Sequence, residues 1–223
     1  MRTPGIRHSG AANTRAVADA ATLDIDRCIE PSLRKALTAL EGRAPLLAGM
    51  ARYHLGYAGR DLTPLDPGKV HQGKRMRPAV ALLAAAAAGG DPRSAAPVGA
   101  ALELLHNFTL IHDDVQDESP TRRHRPTVWS IWGIGQAINA GDALFAVAHL
   151  PLFTLPATGA SADLTLRLLE AFDRMTIAIV EGQTLDLEFE TRSDVLPDDY
   201  LGMIASKTAA IVRFAAWAGA LVG

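Results

Sequence analysis

The acidic run Asp113-Asp114-Val115-Gln116-Asp117-Glu118 is the first part of this sequence able to do chemistry. On a helix turning about 100° per residue, His106, Asp113 and Asp117 project within about 40° of one another. Asp113 and Asp117 are then like charges one turn apart, a pairing that weakens a helix by a few tenths of a kcal/mol unless a cation lies between them. No basic residue interrupts the run. Carboxylate-only ligands suit Mg²⁺, which keeps several waters and completes its shell with phosphate oxygens. A solvated acidic helix end is the plain alternative, but Arg122, Arg123 and Arg125 follow at once, bounded by Pro120 and Pro126. A surface salt-bridge network would contribute little. Mg²⁺ on the aspartates and guanidinium forks on the arginines would together clamp a diphosphate.

A second basic cluster, Gly73-Lys74-Arg75-Met76-Arg77-Pro78, lies just before a helical pattern, where free N–H groups and the helix dipole favour an anion. It reads either as a second phosphate site or as ordinary loop charge. Tyr200, Ile204, Lys207, Ile211 and Phe214 form one stripe that a lysine interrupts. An ammonium on such a face either snorkels outward or meets an anion. Leu164, Leu168, Phe172, Met175 and Ile179 likewise continue in register to Gln183 and Asp186. Several helices that turn polar on their inner faces point to a shared cavity.

The elements that must position these groups are helices. Ile29, Leu33, Leu37 and Leu40 give one stripe, and Leu46, Leu47, Met50 and Tyr53 a second that stops near Gly56 and Gly59. A polar loop follows to Arg77, and Pro78 suits the first turn of a helix ending at Gly89-Gly90. Further helices are predicted over about 94–118, 134–154, 162–190 and 197–222, with no strand. At 223 residues, 48% apolar and 21% charged, the chain is expected to be one all-α domain from residue 23 onward behind a disordered tail at 1–22. The formal charge of -2 leaves no basic excess for general nucleic-acid binding. One cysteine, Cys28, excludes an internal disulfide and a cysteine-built zinc site, and suits a reducing, cytoplasmic setting as a buried small hydrophobe. No uninterrupted apolar run reaches transmembrane length, the best being Ala79 to Ala88.

The set Gly73-Lys74-Arg75-Met76-Arg77-Pro78, Glu103-Leu104-Leu105-His106, Asp113-Asp114-Val115-Gln116-Asp117, Arg122-Arg123, Gly182-Gln183 and Lys207-Thr208 resembles the trans-prenyltransferases, the polyprenyl diphosphate synthase family. Order and spacing match from about residue 25 onward. The resemblance implies the all-α isoprenoid synthase type I helical bundle, Mg²⁺ as cofactor, and a homodimer or association with another synthase chain. It implies head-to-tail condensation of isopentenyl diphosphate with an allylic diphosphate. By motif, Lys74, Arg77, His106 and Arg123 look like the isopentenyl diphosphate site, and Arg122, Lys207 and Thr208 like the allylic diphosphate site. Asp113 and Asp117 match the metal-binding ends of the first aspartate-rich motif, with Asp114 in support, and Gln183 lines the same cavity. Asp113, Asp117 and Lys207 are thereby the expected catalytic residues, because metal and cations stabilise a departing diphosphate without a protein nucleophile.

In this family chain length is set one turn below the aspartates, here at Phe108 and Thr109. An aromatic there, with no insertion in the acidic motif, favours geranylgeranyl diphosphate (C20), then farnesyl diphosphate (C15). Two departures stand out: His124 occupies a place where the family commonly has Gly, and the second aspartate-rich motif has no counterpart before Gly223. The domain is therefore expected to lack the bundle's C-terminal helices and to be inactive alone. A non-catalytic regulatory subunit of a heteromeric prenyl synthase is one competing reading. A class I terpene cyclase is another, although it gives no reason for Gly73 to Arg77 or for Arg122-Arg123.

Overall fold

The computed structural model describes residues 23–66 and 73–223, so the expected tail at 1–22 lies outside the described residues. The first helix, α1 (Ile25–Leu37), starts where the Asp24 carboxylate accepts the Arg27 N–H at 3.0 Å. Asp26 in its first turn and Arg34 and Lys35 in its last complement the helix dipole, and Ile29, Leu33 and Leu37 are buried as the stripe requires. Leu40 falls in a tighter 3₁₀ turn, Thr38–Leu40. Helix α2 (Pro45–His54) opens on its proline and buries Met50 and Tyr53, while Leu46 stays exposed. Helix α3 (Met76–Ala87) carries Pro78 in its first turn and ends before Gly89, whose φ of 97° ordinary residues avoid.

Helix α4 (Ala96–Gln116) is the axis of the fold. Its first ten residues, Ala96 to Leu105, are all buried, and α1, α3 and α6 (Ile134–Ala148) pack around it. Ser161 accepts the Leu164 N–H at 3.1 Å and starts α7 (Ala162–Phe189), which buries Leu168, Phe172, Met175 and Ile179. Helices α8 (Pro197–Ile204) and α9 (Ala210–Val222) follow, with α9 laid along α3 so closely that a Cβ on Gly219 would lie 2.1 Å from Ala81 O.

Three features depart from the sequence expectation. A two-residue antiparallel ladder, β1 (Thr121–Arg122) with β2 (Arg125–Pro126), stands where no strand was predicted, followed by the short helix α5 (Val128–Trp132). The predicted helix 197–222 is broken by a π-helical turn, Ala205–Ala209. Such a turn carries one extra residue and shifts the register by about 100°. Tyr200 is consequently 52% exposed and Met203 is buried in its stead, while Ile211 and Phe214 stay inside. The helix expected over 134–154 stops at Ala148, and a 3₁₀ segment, Leu152–Thr158, follows Pro151. Within Ile134–Thr158 an 18-residue window is on average apolar enough to cross a membrane, unlike any uninterrupted run; 44% of that window is buried, and α6 packs against α4 as a core helix does. Cys28 is half-buried at the edge of the core rather than within it.

Candidate functional site

A cavity of about 320 Å³ opens between α4, α7 and the π-helical turn. Helix α4 contributes His106, Phe108, Thr109 and Asp113, α7 contributes Gln183, the π turn contributes Lys207 and Thr208, and Arg77 enters from the start of α3. Sequence reasoning named all eight. It also named Lys74 and Asp117, which are exposed and do not line this space: Lys74 precedes α3, and Asp117 caps the end of α4. It missed His112 and Gln116, whose only local signal is that they flank Asp113 on the same helix.

Lys207 owes its place to a glycine on another helix. A Cβ on Gly182 would lie 2.3 Å from the Lys207 amide nitrogen and 2.7 Å from its Cα, so only glycine lets α7 come this close to the π turn. From that position the Lys207 ammonium pairs with the carboxylate of Asp186, one turn beyond Gly182. Gln183 donates from Nε2 to Gln116 Oε1 at 2.9 Å, and its own Oε1 is buried without a partner.

Burial sets the electrostatics of the cavity. The Asp113 carboxyl is pushed above its ordinary range by desolvation, with Asp117 adding to the rise and Lys207 opposing it. His106 is lowered to about 3, first by burial and then by Arg77 and Arg123, so it is neutral at physiological pH. Burial also lowers Arg77, whose Nε has no partner. The cavity thus holds a guanidinium with one unpartnered nitrogen and a half-buried carboxylate; the first favours an anion and the second a cation.

The remaining predicted residues sit next door. Arg122 donates from Nε to Asp114 Oδ1 at 2.7 Å, and Asp114 is 1% exposed with Oδ2 unpartnered. Both line a second space of about 30 Å³ with Tyr53, His54 and Arg123. Asp114 thus serves Arg122 rather than lining the larger cavity beside Asp113. The hairpin is bolted to α2: Arg125 donates to Tyr53 O at 3.0 Å and to Ala58 O at 2.8 Å, and the Tyr53 hydroxyl donates to Pro126 O at 2.8 Å. At the hairpin's tip Arg123 and His124 have φ of 51° and 63°, so both central residues of the turn are left-handed. That is the physical reason a glycine would suit position 124. Arg123 joins the two spaces, since its charge acts on His54 on one side and on His106 and Arg77 on the other.

Comparison with known proteins identifies the family. The family model described as Polyprenyl synthetase matches residues 64–223. The chain is 40% identical over 196 residues to a (2E,6E)-farnesyl diphosphate synthase of Mycobacterium bovis, covering 87% of this chain and 51% of that protein. It is 44% identical over 185 residues to a geranylgeranyl diphosphate synthase of Mycobacterium tuberculosis, covering 82% and 51%. A polyprenyl synthetase crystal structure from Streptomyces coelicolor superimposes with a TM-score of 0.77 at 35% identity, over 89% of this chain and 56% of that one. The chain therefore spans about half the length of the curated relatives it matches. The helical bundle, the motif order and the family match lead to one conclusion: the chain belongs to the polyprenyl synthetase family.

Proposed function

We propose that this chain serves short-chain prenyl diphosphate synthesis, the head-to-tail condensation of isopentenyl diphosphate with an allylic diphosphate. One observation carries the reading: a single cavity joins Arg77, His106, Gln183, Lys207 and Thr208 to Asp113, with Ile179, Ile211 and Phe108 lining the same space. Cationic groups in the lining suit a diphosphate, and apolar side chains suit the hydrocarbon. Arg77 and Lys207 would hold diphosphate oxygens and stabilise the negative charge that grows as the allylic C–O bond breaks. The neutral ring of His106 can donate an N–H to the second diphosphate, and the apolar walls keep water from the allylic cation.

The residues present supply only part of a Mg²⁺ site, since among the described residues no third carboxylate joins Asp113 and Asp117. The donor set is all oxygen, the Asp113 carboxyl is half-buried beside like charge, and the Gln183 Oε1 in the same cavity has no partner. By motif, Asp113 and Asp117 are the residues that would hold it, whereas Asp114 is engaged by Arg122. When bound it would supply charge neutralisation on the diphosphate oxygens. Product length of C20, with C15 next, is supported by Phe108 in the cavity wall and by relatives that carry both names.

A second reading, activity only in association with another synthase chain or a second copy of this one, is favoured by one observation. Among the described residues no group of three His, Cys, Asp or Glu side chains is arranged to hold a metal. Calorimetry with inorganic pyrophosphate, with and without Mg²⁺, tests the core of the proposal. The wild type should bind more tightly with the metal, and Asp113→Asn should lose that increment. No pyrophosphate binding under either condition would overturn the reading. Condensation assays with and without an added synthase chain separate the two readings of activity.

A further inference from the structure

The basic loop that opens α3 does not treat its cations alike. Lys74 and Met76 are exposed, whereas Arg75 between them is 6% exposed and turned inward. Its Nη2 donates to Glu30 Oε2 at 3.2 Å, and its Nε lies 3.0 Å from Asp26 Oδ1. Both acids belong to α1, a helix that contributes nothing to the cavity beside Asp113. Tyr57, in the turn after α2, donates its hydroxyl to the same Glu30 oxygen at 3.0 Å. Burial and the Glu30 charge push the phenol's pKa up, so it remains a donor. Three segments distant in sequence thus meet at one carboxylate.

The backbone at this meeting point is strained. Arg75 has φ 44° and ψ 40°, a left-handed conformation that a long L side chain keeps only when its surroundings hold it there. The loop is pressed from its other side as well, since a Cβ on Gly73 would lie 2.8 Å from Arg123 Nη2. Two residues beyond the strained position, Arg77 reaches the cavity with its Nε buried and unpartnered.

We propose that Arg75 is a positioning residue for diphosphate binding: anchored to Glu30 and Asp26, it holds the left-handed turn that turns Lys74 outward and delivers Arg77 into the cavity. This rests on reading the cavity as a diphosphate site. Arg75 itself does not line the cavity: its Nη2 bonds Glu30, its Nε pairs with Asp26 by charge, and Nε and Nη1 are buried without a hydrogen-bond partner. A change of φ at residue 75 would swing everything that follows it, so the latch acts on affinity through the direction of Arg77.

Calorimetric titration with inorganic pyrophosphate at fixed ionic strength tests it, on the wild type and on Glu30→Gln, Arg75→Met and Arg75→Gly. Glu30→Gln separates positioning from charge. Removing an anion beside a basic loop should tighten pyrophosphate binding if electrostatics alone matter, whereas a loosened latch should weaken it about five- to tenfold. Arg75→Gly and Arg75→Met remove the same charge, but glycine takes the left-handed turn freely; it should bind at least about threefold more tightly than the methionine variant. Tighter or unchanged binding in Glu30→Gln, or equal affinities in the two Arg75 variants, overturns the positioning role. No binding by the wild type overturns the diphosphate reading and this proposal with it. If Arg75→Met fails to fold, Glu30→Gln decides alone, because it keeps the side chain's shape and an acceptor for Tyr57.

Discussion

His106 ties local chemistry to stability through its proton. Its folded pKa of about 3 lies below the ordinary 6.5 of histidine, so the unfolded chain binds the extra proton. The stability linked to neutral His106 is therefore complete above about pH 6.5 and is lost as pH falls toward 3. Between pH 7.5 and 5 that amounts to about 2 kcal/mol for one such histidine. His54, also lowered to about 3 by burial and the neighbouring arginines, adds a similar share. Denaturant midpoints at the two pH values should show the fall, and His106→Gln should remove about half of it. Asp113 and His106 were legible in the sequence because one helix's own periodicity aligns them, and Lys207 because it interrupts an apolar stripe on another segment. Arg75 was not. Flanked by Lys74 and Arg77 it reads as one more loop cation, and its burial depends on Glu30, 45 positions away.

Two elements escaped the pattern for different reasons. The hairpin at Thr121–Pro126 has strands of two residues, too short for any alternation to appear, and its turn shows only as φ values. His124→Gly should relieve the left-handed strain and raise stability by about 0.5 kcal/mol, the balance of strain relief against glycine's entropy, as read from a thermal melt. The π turn has no local mark at all, since it arises where α7 meets the Lys207 backbone across Gly182. Gly182→Ala should therefore force the helices apart, with a loss of about 2 kcal/mol or more and weaker pyrophosphate binding. Thermal melts and calorimetry on that variant check both. Along α4 and α6 the side chains form an aromatic row, Phe108 to Phe145 at 5.3 Å between ring centres and Phe145 to His149 at 5.1 Å. If Phe108 limits product length, Phe108→Ala should lengthen products by only about one C5 unit, because Phe145 stands behind it. Product chromatography on Phe108→Ala with and without Phe145→Ala measures the two barriers.

The whole molecule is organised about α4, which touches α1, α3, α6 and α9. Its buried centre, Leu102 to Ile111, should exchange amide hydrogens most slowly, and the π turn Ala205–Ala209 markedly faster, in a hydrogen-exchange time course. That hub was foreseeable as a long apolar helix, but which helices surround it is a matter of packing that no single stretch of sequence records. The distribution of cations across the molecule has a practical consequence. Lysine and arginine total 22, yet the lysines are only Lys35, Lys69, Lys74 and Lys207. Lys35 stands free in solvent, whereas Lys207 is engaged with Asp186 beside the cavity. An acylating reagent reacts with a free amine and not with an ammonium locked in an ion pair. The labelling rate of Lys207 relative to Lys35 thus becomes a clock for how often the molecule opens that pair.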